Sequence, residues 1–349
     1  MKKPEYPSEE YKLLKTLDPF LNYKKSATYP IGIGDDAAVR RNKADERLIF
    51  TADSLVENVH FSLAYMTFRQ IGYKAMAVNL SDCAAMAALP DAALVQIIFP
   101  RHPNIKALTN NLKNLYRGFH DACRKWKFPI VGGNLSRGPC WIVDITLIGK
   151  TGARDRMLLR TGIKNKDNLW TTGHPGSSAA GLAALRKWGS AERVPKKYKS
   201  LVDCHIRPKP RIEIARALGR NPHVHTLIDI SDGISKESHT LAFENTIGII
   251  LDPALAAVPA AMKDLAGELN IDWRQWFLHG GEDYELLFAA SARFDLPVCK
   301  VPVTRIGLCS STVKSVYFIR DNGIIKHVTR NSWDHLRNPA LNILTRCGQ

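Results

Sequence analysis

No two cysteines in this chain stand in a Cys-x-x-Cys pair. The seven that occur (Cys83, Cys123, Cys140, Cys204, Cys299, Cys309, Cys347) are scattered and odd in number, which speaks against a disulfide framework and against a zinc site. No apolar run is long enough to span a bilayer, and Met1-Lys2-Lys3-Pro4-Glu5-Tyr6 leads into no apolar signal core, so a soluble, cytoplasmic protein with no membrane partner is expected. Low-complexity segments and short repeats are also missing. Acids are outnumbered, 33 against 49 lysines and arginines, which leaves a formal charge of +16. Such a charge suits nucleic acid or small polyanions such as nucleotides. The basic residues are dispersed, however, with one denser region from Arg186 to Arg211 and no helix-turn-helix, zinc-finger or RNA-recognition pattern. A solvated basic face is the default reading there, and no nucleic-acid partner is expected. The rest is ordinary: 349 residues, 45% apolar and 23% charged, enough to bury a sizeable core and to form two domains.

What the chain does have is acids in unusual company. Ile31-Gly32-Ile33-Gly34-Asp35-Asp36-Ala37-Ala38-Val39 sets an acid pair between glycines and apolar residues. Adjacent carboxylates repel, and burying either without a partner is costly, so apolar flanks make sense if a cation sits there. Glycines admit backbone N–H groups to anionic oxygens, and carboxylates hold the hard cation that bridges such oxygens; the bland alternative is a turn. Asp53, Asp82, Asp229, Asp232, Glu282 and Asp283 likewise stand beside Gly, Ser or apolar residues, unlike the Lys- and Arg-mixed acids of solvated surfaces. Together they form a set of hard oxygen ligands suited to several Mg²⁺ ions shared with phosphate, which points to ATP chemistry without a P-loop.

In chain order, Ser8 to Leu17 predicts a short amphipathic helix, and Arg47 to Ala52 a strand delivering Asp53 at its end, with His60 close behind. Thr67 to Met86 has a long helical pattern closed by Leu89-Pro90, in which Ala75, Asn79 and Asp82 share one face. Strands are expected at 93–99, at 129–131 running into Gly132-Gly133-Asn134, and at 140–149, with a helix over 104–127. This βαβαβ order implies a layered α+β or α/β domain ending near Arg160. A second unit opens with a strand at 168–172, whose Gly173 to Ser178 resembles a phosphate-cradling turn but lacks a P-loop lysine and is read as structural. Strands then bring Asp229 and Asp232, and Gly280-Gly281 brings Glu282 and Asp283; Asp321-Asn322-Gly323 predicts a hairpin.

The ordered set Gly32 to Val39, Thr51-Ala52-Asp53-Ser54-Leu55-Val56, Val59-His60-Phe61, Tyr73 to Asp82, Val131-Gly132-Gly133, Asp229-Ile230-Ser231-Asp232-Gly233, Gly280 to Phe288 and Trp333-Asp334-His335-Leu336 resembles the thiamine-monophosphate kinase family, within the aminoimidazole-ribonucleotide synthetase superfamily. The resemblance runs nearly end to end. It implies two α+β domains, 1–160 and 161–349, the first pairing its sheet with that of a mate in a homodimer. It implies transfer of the ATP γ-phosphoryl group to thiamine phosphate. By motif, Asp36, Asp53, Asp82, Asp229 and Asp232 would bind Mg²⁺ with Thr51 and Ala52 beside them; Gly133, Arg160, Ser231 and Tyr116 would contact ATP; His60, Glu282 or Asp283, and Trp333 would line the thiamine phosphate site. No general base is assigned.

Three positions depart from the family pattern: Asn134 stands in place of Asp after Gly-Gly, Ala52 in place of Thr, and Asn58 in place of Gly. Asn134 still offers a carbonyl oxygen to a metal, so activity is expected with a weaker metal site. The competing readings are a sister enzyme of the superfamily (selenophosphate synthetase, aminoimidazole-ribonucleotide synthetase, a hydrogenase-maturation protein), a catalytically weak nucleotide-binding homologue, and a basic nucleic-acid module. No cysteine precedes Cys83, which disfavours selenophosphate synthetase.

Overall fold

The computed structural model describes residues 25–31, 35–42, 46–101, 104–151, 155–297, 299–319 and 323–328. The helix expected over Ser8 to Leu17, the glycines Gly32 and Gly34, and Trp333 lie outside the described residues. In the first unit, strands β1 (Ala38–Arg41) and β2 (Arg47–Val56) precede helix α1 (Phe68–Ala85), strand β3 (Leu89–Phe99), helix α2 (Ile105–Trp126) and strands β4 (Ile130–Arg137) and β5 (Ile142–Thr151). They form one sheet in the order β1-β2-β5-β3-β4, in which β3 and β4 run parallel and the other neighbours antiparallel.

The second unit comprises β6 (Asn168–Thr172), α3 (Ser177–Trp188), α4 (Lys199–Ile206), α5 (Ile212–Arg220), β7 (Val224–Asp229), α6 (Ile234–Asn245), β8 (Gly248–Leu251), α7 (Ala260–Glu268), α8 (Trp273–His279), β9 (Leu286–Ala290), β10 (Val303–Ser310), β11 (Val316–Ile319) and β12 (Ile325–His327). Its sheet has the order β12-β11-β8-β10-β6-β9-β7, and β11 and β12 pair antiparallel as the expected hairpin. The chain is therefore α+β, as expected. Asp155, a few residues after β5, is already held by Arg216 and Arg220 of the second unit.

Helix α1 organises both units. Thr67 caps it in a reciprocal box with Gln70, and Ile71 to Ser81 are buried without interruption. A helix apolar on every side belongs inside a protein, and α1 packs on β2, β3 and β5, against α2, and against β7, α4 and α5 of the other unit. Its Ala, Ser and Gly residues admit that many neighbours. The helix ends at Met86 and β3 starts at Leu89, so Pro90 opens a strand as well as closing a helix.

Two strands outrun the sequence reading. β2 continues through Asp53 to Val56 because Leu55 extends its buried face, so Asp53 is an interior residue of the strand. β4 runs straight through Gly132-Gly133-Asn134, paired with Leu94, Val95 and Gln96 of β3. Gly133 has φ 155°, and a Cβ there would run into the Val95 carbonyl oxygen, so this glycine permits close pairing where local sequence suggested a turn.

Candidate active site

Three carboxylates meet where α1 crosses between the two units. Asp36 comes from the loop before β1, Asp82 from the last turn of α1, and Asp229 from the end of β7, and one oxygen of each lies within 4.8 Å of the others. Among the described residues, each side chain accepts from one partner. Arg160 Nη2 donates to Asp36 Oδ1 at 2.7 Å, the Thr51 hydroxyl donates to Asp82 Oδ2, and the Ser81 hydroxyl donates to Asp229 Oδ2 at 2.6 Å. Asp36 Oδ2 is buried with no hydrogen-bond partner among the described residues. Burial pushes the Asp82 carboxyl well above the ordinary range, and the charges of Asp53, Asp229 and Asp36 push it further. Asp229 is raised in the same way, by burial and then by Asp36. Asp35 rises to about 7, by burial and by its neighbour Asp36.

Around this triad stand further groups. Asp53 lies on β2, on the same strand face as Thr51. The Asp232 carboxylate accepts from Lys236 Nζ at 2.7 Å, and its amide donates to Glu237 Oε1 at 2.9 Å. Burial, then the charge of Asp232, drives the Glu237 carboxyl up to about 8. Ala52 faces the opposite side of the sheet from Thr51 and Asp53 and is exposed, so only its backbone faces the cluster's strand segment.

Asn134 stands elsewhere. By register, Asp53, Ile145, Val95 and Gly133 form one line across β2, β5, β3 and β4, and Ser54, Asp144, Gln96 and Asn134 form the next. Three strand spacings separate the ends of each line, about 14 Å, and alternation puts Asn134 on the face away from α1. Tyr116 is half exposed on α2, edge-on to Phe119 at 5.2 Å between ring centroids. Neither belongs to the acid cluster. Gly133 lies on the Asp53 line but at the far strand.

The loops carrying Ser231 and Glu282 are bonded together by backbone. Glu282 N donates to Ser231 O at 2.6 Å, Tyr284 N to Ile230 O at 2.9 Å, and Ile230 N to Glu285 O at 2.7 Å. A Cβ on Gly281 would come within 2.7 Å of Ser231 O, so glycine is needed for that approach. His60 follows β2, and its Nδ1 accepts from Val56 N at 3.1 Å, which leaves Nε2 as the donor of the neutral ring. Asp283 points another way: both its oxygens accept amides at the start of α3, from Gly176 at 2.6 Å and Ser178 at 3.0 Å. Within the turn at 173–178, Asp283 thus takes the amides of Gly176 and Ser178, and the carbonyls of Pro302 and His174 take those of Gly173 and Ser177, in keeping with a structural reading.

Several site groups escaped the sequence reading. Lys74, fully buried on α1, lies 2.7 Å from Glu282 Oε1. His205, buried on α4, lies 3.5 Å from Glu282 Oε2, and burial together with the Lys74 charge lowers its pKa to about 3. Arg211 forms a two-pronged pair with Glu285. Glu237 and Lys236 on α6 belong to the same group. Lys74 carried one available signal, its place in a helix with no polar face.

The AIR synthase related protein, N-terminal domain, family matches residues 34–151. The thiamine-monophosphate kinase of Bacillus subtilis (strain 168) is 28% identical over 336 residues, covering 94% of this chain and 100% of its own. That of Buchnera aphidicola subsp. Schizaphis graminum is 34% identical over 310 residues, covering 86% of this chain and 92% of its own. Among solved structures, AaThiL complexed with AMPPCP and TMP superposes with a TM-score of 0.81 at 26% identity, over 94% of this chain and 97% of that one.

Proposed function

The chain belongs to the thiamine-monophosphate kinase family, and from that premise we propose that it transfers the γ-phosphoryl group of ATP to thiamine phosphate, giving thiamine diphosphate and ADP. The observation that carries this reading is the triad of Asp36, Asp82 and Asp229, largely withdrawn from solvent, with one oxygen of each within 4.8 Å of the others at the junction of the two units. The complex of AaThiL with AMPPCP, an ATP analogue, and TMP supports the same pair of substrates.

The chemistry asks little covalent help from the protein. The acceptor is a phosphate oxyanion, already nucleophilic near neutral pH, and no general base is required. Donor and acceptor repel each other, so the protein has to align them and screen their charge. The donor set fits a hard divalent cation: all-oxygen ligands, carboxylates that burial and mutual repulsion leave poorly compensated, and an orphaned oxygen on Asp36. Asp36, Asp53, Asp82, Asp229 and Asp232 would hold several Mg²⁺ ions, with Thr51 and the Ala52 backbone beside them, and the ions would supply positive charge to screen the phosphates. Arg160, bonded to Asp36, and Ser231 would meet ATP at the cluster. Gly133 and Tyr116 would serve the nucleotide's other end, since ATP is long enough to bridge the strands between. His60, through its Nε2–H, and Glu282 would line the acceptor site, with Trp333 completing it. Asn134 is not needed as a ligand in this arrangement.

The two sheets support two domains divided near residue 160. A homodimer through the first sheet is supported by a face and edge that no described residue covers, where Leu94, Val131 and Leu135 are exposed. No helix among the described residues is long and apolar enough to cross a membrane, which fits a cytoplasmic enzyme.

The test is to incubate the protein with ATP, Mg²⁺ and either thiamine phosphate or free thiamine and to follow thiamine diphosphate by chromatography. Product from thiamine phosphate alone is expected. Silence with thiamine phosphate, while ATP still binds, would overturn the assignment in favour of a sister activity.

A further inference from the structure

Lys74 plays no part in the acid cluster, yet it is fully buried. A buried ammonium persists only with good partners. Its Nζ lies 2.7 Å from Glu282 Oε1 and donates to the His60 carbonyl oxygen at 3.0 Å. His60 follows β2 of the first unit and Glu282 precedes β9 of the second, so one ammonium ties together two residues that the fold brings from different sheets.

The surroundings of Glu282 show how tightly it is set. Its backbone is left-handed, φ 63°, as is that of Tyr284, φ 51°. Such conformations survive where neighbours over-determine them, and here the amides of both residues are fixed on the Ser231 loop. The side chain keeps 23% exposure, so one flank of the carboxylate stays open while Lys74 and His205 hold the others. His205 Nδ1 is shared with the Ser178 hydroxyl at 3.2 Å. Its burial keeps that ring neutral, which leaves Lys74 as the charged partner. Lys74 itself cannot move far, because Tyr73, Ala75, Met76, Ala77 and Val78 around it are all buried.

We propose that Lys74 is a positioning residue of the acceptor site, bracketing His60 and Glu282 at the separation that thiamine phosphate requires. The inference rests on the reading that His60 and Glu282 line that site. It also assigns α1 a second duty: the helix that brings Asp82 to the donor phosphates sets the acceptor contacts from the same rigid body.

Steady-state kinetics on Lys74→Met, Lys74→Arg, Glu282→Gln, His60→Ala and the double variant Lys74→Met/Glu282→Gln test it, with circular dichroism to check folding. Lys74→Met is expected to raise KM for thiamine phosphate about 10- to 100-fold, the scale of a misplaced substrate contact, with KM for ATP little changed. Lys74→Arg should recover part of the loss. In the Glu282→Gln background, Lys74→Met should add little. If Lys74→Met does not fold, the double variant leaves no charge unpaired, and its KM should match that of Glu282→Gln. Equal loss for both substrates, or full multiplication of the two single effects, would overturn the proposal. If Glu282→Gln and His60→Ala leave KM for thiamine phosphate unchanged, the acceptor-site reading is what fails. If they raise it and Lys74→Met does not, the positioning role fails alone.

Discussion

Helix α1 ends two opposite ways of burying a carboxylate. Near its start, Glu282 meets the Lys74 ammonium at 2.7 Å. About 12 Å further along the helix, Asp82 meets Asp36 and Asp229 within 4.8 Å, with hydroxyls of Thr51 and Ser81 and the guanidinium of Arg160 as the protein's whole contribution among the described contacts. The consequences differ in sign. Burial works to raise the Glu282 carboxyl, but the Lys74 ammonium brings it below its ordinary value. Nothing comparable offsets burial at Asp82 and Asp229, which are pushed well above theirs. The first site is complete in the protein's own charges. The second is chemically suited to a cation arriving with its substrate.

The sharpest way to break this comparison is to remove charge at each end. Asp82→Asn should lower turnover on the order of 100- to 1,000-fold, as loss of a group preorganised against transition-state charge does, while raising the melting temperature of the metal-free protein by relieving repulsion. Lys74→Met should lower the melting temperature, because it strands Glu282; breaking such a pair costs about 3–5 kcal/mol when fully buried and less here, with one flank of Glu282 open. Melting curves in the presence of a chelator check both. Shifts of the same sign would erase the contrast.

A smaller effect follows from pH. Acids whose folded pKa is raised bind more protons folded than unfolded, so the stability they contribute is fully present below the unfolded pKa and is lost as pH rises from there through the folded pKa. For Asp35, raised from 3.8 to about 7, and Glu237, raised from 4.5 to about 8, that window runs from near pH 4 to near pH 8. The chelated protein should therefore melt lower at pH 8 than at pH 5, and Mg²⁺ with nucleotide should flatten the slope. A metal-free protein that gains stability across this range would contradict the burial of uncompensated acid.

The smallest effect is expected at Asn134. Its line on β4 is three strands from that of Asp53 and its neighbours. Asn134→Asp should then change turnover at saturating Mg²⁺ by no more than about twofold, the range of substitutions outside special sites. A large gain, read in the same product assay, would return this position to the metal site.

The contrast also explains what could be read in advance. Asp36, Asp82 and Asp229 stood out because a carboxylate amid Gly, Ala and Ile has no local reason to be there. Their convergence was implied by the family resemblance, and the α+β layering by the order of strands and helices. Lys74 was not, because its meaning lies in Glu282, some two hundred residues away in sequence, and a lysine in a helix ordinarily reads as solvated. Glu237 gave no signal, since an acid on the first turn of a helix such as α6 is common for local reasons. Asn134 was placed by motif, while strand pairing set its face and distance. The same pairing drew β2 past Asp53 and β4 through a Gly-Gly that alone suggests a turn. Asp283 resembled a ligand in sequence and turned out to cap α3 through Gly176 and Ser178.

The central claim, that the acidic end of α1 is a seat for divalent cation shared with nucleotide phosphate, is tested most directly by melting the protein with AMPPCP alone, Mg²⁺ alone and both together. A ligand that binds only the folded state raises its stability by mass action. The account predicts that the pair raises the melting temperature clearly more than the sum of the separate shifts, and that Asp82→Asn abolishes the excess. Shifts that merely add, or an excess that survives in Asp82→Asn, would contradict it.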